Sequence, residues 1–364
     1  MFKKSLLILI PILLLTAMVL AQPLVWNTAS SYPITIRDAT VIHYNGYVYS
    51  IGGRTTGEGA GTHAISDVYY AAVNPDGSIG AWTATTALPG KRVAGGAYAY
   101  NGSLYFWGGW MEDYTTMNTC WYAPINPDGS IGTWVTSSVT IPNSSQGYAQ
   151  MDSFGRGVLG FNDTLYILGG EDNNVNIQNT VLYSNIQGSG DYGSWTATTI
   201  LPINVWFQGA MIYTGTSATY IYQLGGLVGG QANIYYNTIN PDGSLSVTWS
   251  LATNPLAIAL YDPGCAFAVD SIFIIGGLNG TTSLDRVQRC KVNPSTGDID
   301  AVTDETVLPA ARARTSAVGY TAGGDEYILV VGGGGYLVTD PVYADCWYSL
   351  VPAPTKSHSW SLYE

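Results

Sequence analysis

The chain carries a small set of residues with chemistry to offer. Arg37, Arg92, Arg312 and Arg314 each stand a few residues ahead of a short apolar run. A guanidinium in such a place can grip a carboxylate with two parallel donors. Near them in sequence order lie Glu58 and His63, then Trp110, Glu112, Asp113 and Tyr114. Glu171 and Asp172 follow a Gly pair, Trp206 and Phe207 are adjacent, and Tyr261 precedes Asp262. Aromatic rings of this kind stack on sugar faces, and a carboxylate held near a substrate can serve as a general base. The same residue types also suit a purely architectural role, with arginines pairing to acids across neighbouring elements and aromatics capping a core. Both readings stay open at the level of sequence.

Other chemistries find no support. Only three histidines are present, His43, His63 and His358, and they are far apart in the chain. A copper or zinc centre needs several converging nitrogen or sulfur ligands, so no metal site is expected. No Gly-rich phosphate loop and no G-x-S-x-G elbow occurs, and no cofactor is expected. The formal charge is -12 at pH 7. An acidic, Lys-poor chain repels phosphate backbones, which argues against nucleic acid as a partner.

The elements that must position these residues emerge from self-comparison. Six apolar runs end in a Gly pair, at Gly52-Gly53, Gly108-Gly109, Gly169-Gly170, Gly225-Gly226, Gly276-Gly277 and Gly332-Gly333. A repeat near 50 residues is the mark of a propeller or array. Ahead of each pair lie two short strands; in the second unit these are 96–100 and 103–107, joined at Asn101-Gly102, a strong hairpin signal. A third strand follows, such as that beginning Cys120-Trp121-Tyr122. It leads into Asn-Pro-Asp-Gly-Ser at Asn74, Asn126 and Asn240, with a variant at Asn293. Pro presets φ and Gly supplies positive φ, so this is a second tight turn. Trp82, Trp134, Trp195 and Trp249 then open the fourth strand, and Val302 holds that place in unit five. Each unit is a four-stranded antiparallel sheet, strands a to d. One such sheet cannot cover both its faces, but a ring of six can.

This pattern resembles the kelch repeat family over nearly all of residues 22–352. The resemblance implies an all-β fold, a six-bladed kelch-type β-propeller of four-stranded antiparallel blades. Unit six departs from the pattern in lacking the Asn-Pro-Asp-Gly turn. Secreted kelch propellers of this size include the sialic acid mutarotases, in which a catalytic Glu follows a Gly pair and an Arg comes six residues later. Gly169-Gly170-Glu171 is similar to the first part, but Ile177 stands where that Arg would be.

The topology sorts the loops into two faces. The a–b and c–d turns leave one face and are short and repeated; the b–c and d–a connections leave the other and vary. Variation on a rigid scaffold is where binding sites tend to sit. The leading expectation is a glycan- or protein-binding, surface-assembly module. Its candidate contacts on the variable face are Arg37, Arg92, Trp110, Glu112, Glu171, Asp172, Trp206, Asp262, Arg312 and Arg314. A sugar-modifying enzyme of the mutarotase type is the alternative, and the sequence leans away from catalysis.

Six second strands are followed by only five fourth strands, and Trp26 to Pro33 matches Trp82 to Pro89 in spacing. The N-terminus is therefore expected to supply the last blade's outer strand, in preference to Ser357–Trp360 at the other end. Lys3 and Lys4 followed by an apolar run to Ala21 read as a signal peptide over 1–21. That implies a propeller over 22–352, a tail over 353–364, secretion to the periplasm, cell surface or medium, and no membrane span after cleavage. Losing Lys3 and Lys4 would take the charge from -12 to -14. The four cysteines, Cys120, Cys265, Cys290 and Cys346, fall on strands whose registers do not bring them together, and unpaired buried thiols are expected.

Overall fold

The structure is a computed structural model that describes residues 22–55, 63–112, 115–142, 159–171, 176–227, 230–337 and 340–353. The signal peptide expected over 1–21, the rival latch at 357–360 and all but the first residue of the tail lie outside the described residues. No helix among the described residues is long and apolar enough to cross a membrane.

Six four-stranded antiparallel sheets form the ring. Blade one comprises Thr40–Tyr44, Tyr47–Ile51, Val68–Ala72 and Thr83–Ala84, and blade two Gly96–Tyr100, Ser103–Trp107, Cys120–Pro124 and Val135–Thr136. Blade three takes Gly160–Phe161, Thr164–Glu171, Ile177–Asn185 and Thr196–Ala197, and blade four Gly209–Thr214, Thr219–Leu224, Ile234–Ile239 and Ser250–Leu251. Blade five takes Gly264–Ala268, Ser271–Ile275, Val287–Val292 and Ile299–Asp304. Blade six has Ser316–Ala322, Asp325–Val331 and Cys346–Leu350, and its outer strand is Asn27–Thr28. Asn27 stands opposite Tyr348 and Thr28 opposite Trp347. Leu24, just ahead of this strand, is buried in one cluster with Trp347 and Val351. The ring is thus closed by the N-terminal strand, as the Trp26–Pro33 spacing implies, and blade six keeps no bare edge.

The Trp that opens each outer strand is a fastener between blades. Trp82, Trp134, Trp195 and Trp249 are all buried. The indole N–H of Trp82 donates to the Ser30 carbonyl at 3.1 Å, that of Trp134 to Thr86 at 3.0 Å, and that of Trp249 to Thr199 at 3.1 Å. Each acceptor lies four residues past the preceding blade's own Trp. Trp26 donates to Thr306 at 3.1 Å, and Thr306 lies four residues past Val302. Val302, paired with Cys290, therefore occupies the Trp register of blade five.

On the short-turn face the three Asn-Pro-Asp-Gly-Ser turns share one geometry. The carboxylates of Asp76, Asp128 and Asp242 each accept from the backbone N–H, at 3.0 Å, and the hydroxyl of the Ser two residues on. The Ser hydroxyl bond and then the backbone bond hold all three carboxyls below the usual range. The c–d turns, whatever their sequence, are also docking points. Tyr105, Tyr166 and Tyr222, three residues before the Gly pair on strand b of blades two, three and four, donate to the carbonyls of Gly190, Gly243 and Gly297 in the next blade, at 3.0, 2.8 and 2.7 Å. Blade five carries Phe273 at that position. Its neighbour, blade six, has no c–d turn to receive a hydroxyl, because its outer strand comes from the N-terminus. Much of the unusual tyrosine content therefore has a structural origin.

The Gly pairs belong to the opposite face, and two facts require them. Both members of all six pairs have positive φ, +56° to +63° at the first and +77° to +102° at the second, which glycine adopts without a Cβ penalty. The second member also bonds to the chain entering the next blade: Gly53 N–H donates to the Arg92 carbonyl, Gly170 to Val205, Gly226 to Leu260, Gly277 to Arg312 and Gly333 to Ile36, at 2.8–2.9 Å. The four cysteines are buried thiols that form no disulfide among the described residues. Burial pushes the thiols of Cys120 and Cys346 up to about 12, so they are inert packing groups at neutral pH.

Candidate functional site

The d–a connections converge on one end of the channel, and their backbones form a belt there. Ala94 N–H donates to the Asp38 carbonyl at 3.0 Å, Asp38 to Arg314 at 3.1 Å, Arg314 to Asp262 at 3.0 Å and Asp262 to Phe207 at 2.8 Å. The five residues come from blades two, one, six, five and four, so the belt links consecutive blades head to tail. All five hold left-handed backbone, with φ between +54° and +58°. Non-glycine residues adopt that region at a cost, which the belt's hydrogen bonds offset.

Within this belt lies a group of buried charges. Arg37 and Arg54 are cross-strand partners, joined by N–H to carbonyl bonds of 3.0 and 2.9 Å. Two guanidiniums so placed repel each other. Asp38 relieves that repulsion: its carboxylate accepts from Arg54 Nε at 2.7 Å and lies 3.7 Å from Arg37 Nε. Arg37 Nη1 also donates to the Gly335 carbonyl at 3.1 Å. Across the seam of blades six and five, Arg314 Nε donates to Asp262 at 3.0 Å. All five side chains are at most 3% exposed. At this depth a charge is tolerated only with a partner, so the pairs hold one another in place.

Aromatic rings floor the same end. Phe207 packs against Ala64, Val93, Ala94 and Trp110 on blades one and two, and also against Tyr261, Leu278 and Ala313 on blades five and six. A side chain rooted on blade four that meets both groups must reach across the channel, so Phe207 plugs it. The Trp206 ring lies 4.2 Å from Phe207, and Tyr261 lies 6.2 Å away on the other side. The Arg54 guanidinium rests over Trp110 at 4.8 Å, a cation–π contact. Trp206 and Phe207 are half-buried and Trp110 and Tyr261 are buried, so this end presents two partly exposed rings braced by buried, paired charges.

Of the residues singled out from sequence, the structure gathers Arg37, Trp110, Trp206, Asp262 and Arg314 here. Arg92 and Arg312 go elsewhere. They lie two residues before the belt position, and their side chains turn away from the mouth onto strand c of the blade they enter. Arg92 sits 4.3 Å over Trp121 and Arg312 3.8 Å over Trp347. Arg92 donates to the Thr119 hydroxyl at 2.7 Å and Arg312 to the Asp345 carboxylate at 2.8 Å. Burial lowers both guanidiniums, Arg92 to about 10, which marks them as packed fasteners. The sequence holds the signal for this. Arg at this position occurs in the two blades whose third strand begins Cys-Trp-Tyr, whereas Ile36, Val205 and Leu260 fill it in blades one, four and five.

Glu112 pairs with Lys91 at 3.1 Å on the surface. Glu171 ends strand b of blade three, directly opposite Ile177. Asp172, Glu58, Asp113 and Tyr114 lie outside the described residues, and His63 is exposed. His43 is on the inner strand of blade one beside the ring of Tyr320, and burial lowers its pKa. Reading from sequence left Asp38 and Arg54 out of the candidate set. Arg54 follows its Gly pair at the same position as Trp110 and Glu171, and that register would have found it. No group of histidines, cysteines and carboxylates among the described residues could hold a metal ion.

No family model and no curated protein matches the chain. Among solved structures, the one titled "Structure of YjhT" is similar to it, with a TM-score of 0.63 over 87% of this chain and 95% of that one, at 15% sequence identity. At that identity the likeness is one of fold, a six-bladed propeller over nearly the whole of both chains.

Proposed function

We propose that the protein is a secreted, kelch-type binding module that takes a glycan on the channel mouth made by its d–a and b–c connections. The observation that carries this reading is the floor itself: Phe207 plugs the channel, the half-buried Trp206 ring lies 4.2 Å from it, and buried ion pairs brace the surround, Arg54 with Asp38 in blade one and Arg314 with Asp262 across a blade seam. The half-buried rings of Trp206 and Phe207 suit the apolar face of a sugar. The leader at 1–21 supports export, where glycans are met.

The sugar-modifying alternative looks to Glu171 for its acid. The residue opposite Glu171 is the apolar Ile177, six positions on, where the mutarotase pattern has an Arg. That favours binding over turnover.

A glycan array probed with the chain lacking residues 1–21 tests the reading, followed by titration of the best-retained sugar. Trp206→Ala is expected to weaken that sugar at least tenfold, about 1.4 kcal/mol. An array with no retained glycan, or undiminished binding by Trp206→Ala, would overturn it.

A further inference from the structure

Asn-x-Ser/Thr sequons stand at Asn101, Asn143, Asn162 and Asn279. In an exported chain each is a candidate acceptor for an N-linked sugar. The fold separates them. Asn143 lies outside the described residues. Asn279 is half-buried, and its side-chain amide donates to the Ala259 carbonyl at 2.7 Å. Asn101 and Asn162 are exposed and share one register: each opens the a–b turn of its blade in left-handed backbone, with φ of +46° and +51°. Asn45 opens the same turn in blade one at +48°, but Tyr47 stands where a sequon needs its Ser or Thr. In blades two and three Ser103 and Thr164, the first residues of strand b, supply it.

The surroundings of these two asparagines differ. Around the turn at Asn101 the surface is open: nothing stands within 4 Å of where a Cβ would be at Gly102, or at Gly190 of the next blade. Asn162 instead lines a cleft of about 350 Å3 between blades three and four, with Phe161, Asp163, Thr219, Asn240 and Pro241. That volume is at the lower end of small-molecule sites, enough for one pyranose with its acetamido group. The half-buried Phe161 ring and the exposed Pro241 offer apolar contact, and the exposed Asp163 carboxylate can accept from sugar hydroxyls. We propose that Asn162 carries an N-linked glycan and that the cleft seats its first sugar, an N-acetylhexosamine. The donor is that sugar on a lipid pyrophosphate, used by the oligosaccharyltransferase of an export pathway. The C1–O bond breaks, the lipid pyrophosphate leaves with the electron pair, C1 bonds to Asn162 Nδ2, and the amide gives up one proton. In the finished blade Thr164 is buried and its hydroxyl donates to the Asn185 side-chain oxygen at 3.1 Å, so transfer precedes the closing of this hairpin. The proposal rests on the export part of the reading above and is independent of any ligand at the mouth.

The test is expression of the full chain in a secretory cell line that carries an oligosaccharyltransferase, in parallel with residues 22–364 behind a leader of established function. Export of the second chain alone would count against the leader at 1–21, and the glycan is then read on that second chain. Peptide mapping after N-glycosidase treatment is expected to find most of Asn162 converted to Asp. Asn162→Gln and Thr164→Val are each expected to abolish the sugar, and Thr164→Ser to keep it; because transfer precedes folding, these results stand even where a variant folds poorly. With the glycan trimmed to one N-acetylglucosamine, NMR of the folded chain is expected to show cross-relaxation between the acetyl methyl and the Phe161 ring. The proposal is overturned if Asn162 is bare in the chain behind the established leader, if Thr164→Val keeps the sugar, or if the attached sugar shows no contact with Phe161.

Discussion

The two faces of the ring are joined by different chemistry. On the short-turn face, side chains make the bonds between blades. Tyr105, Tyr166 and Tyr222 each reach a glycine carbonyl of the next blade, and neighbouring turns repeat the same Asn, Asp and Ser. On the other face the backbone makes many of those bonds, through the second glycine of each pair and through the belt of left-handed residues. Where side chains carry the joint, they must stay the same from blade to blade. Where the backbone carries it, they are released: the belt position holds Asp38, Ala94, Phe207, Asp262 and Arg314 at nearly one φ. That release lets one end of a repetitive molecule acquire a particular surface.

Substitutions can break or sharpen this contrast. The largest effect is expected from the framework common to both faces. Trp249→Ala removes a buried ring and its bond to Thr199, and should cost about 4 kcal/mol in denaturant unfolding; a loss below about 1 kcal/mol would show that the fastener role is misassigned. Next comes the connection face. Asp262→Ala leaves Arg314 buried without this carboxylate and should cost about 3 kcal/mol, while Asp262→Ala with Arg314→Met should recover most of it. A double variant as unstable as the single one would mean that the pair does not act as a unit. The smallest effect belongs to the side-chain joints. Tyr166→Phe should cost about 1 kcal/mol, and Phe273→Tyr should gain nothing, since blade six has no turn to accept the hydroxyl. Stabilisation by Phe273→Tyr would contradict the link between tyrosine and turn.

The side-chain face was the legible one. The Asn-Pro-Asp-Gly turns, the Trp anchors, the Val302 substitution and the Trp26–Pro33 latch all announce themselves by residue type and spacing, and the structure places each where that spacing points. The belt does not announce itself. Positive φ at Asp, Ala, Phe and Arg leaves no mark in composition, because glycine alone advertises it. Without the belt, Arg92 could not be told from Arg314. Both precede strand a, and two residues of register decide whether the side chain lies on a strand-c Trp or beside Asp262. The mouth's residue types were readable, but its geometry was not.

The latch has a consequence for how the molecule is made. Blades one to five are each built from one continuous stretch of chain and can assemble in the order of synthesis. Blade six cannot, because Asn27 must meet Tyr348 across almost the whole sequence. The first strand to emerge is thus the last to find its partner. Closing so long a loop adds little to the equilibrium cost, since loop entropy grows only logarithmically with length. The toll is kinetic: pairings this distant in sequence form slowly. Until they form, the third strand of blade six presents an open edge to any neighbouring chain, and the half-made ring depends on staying solitary.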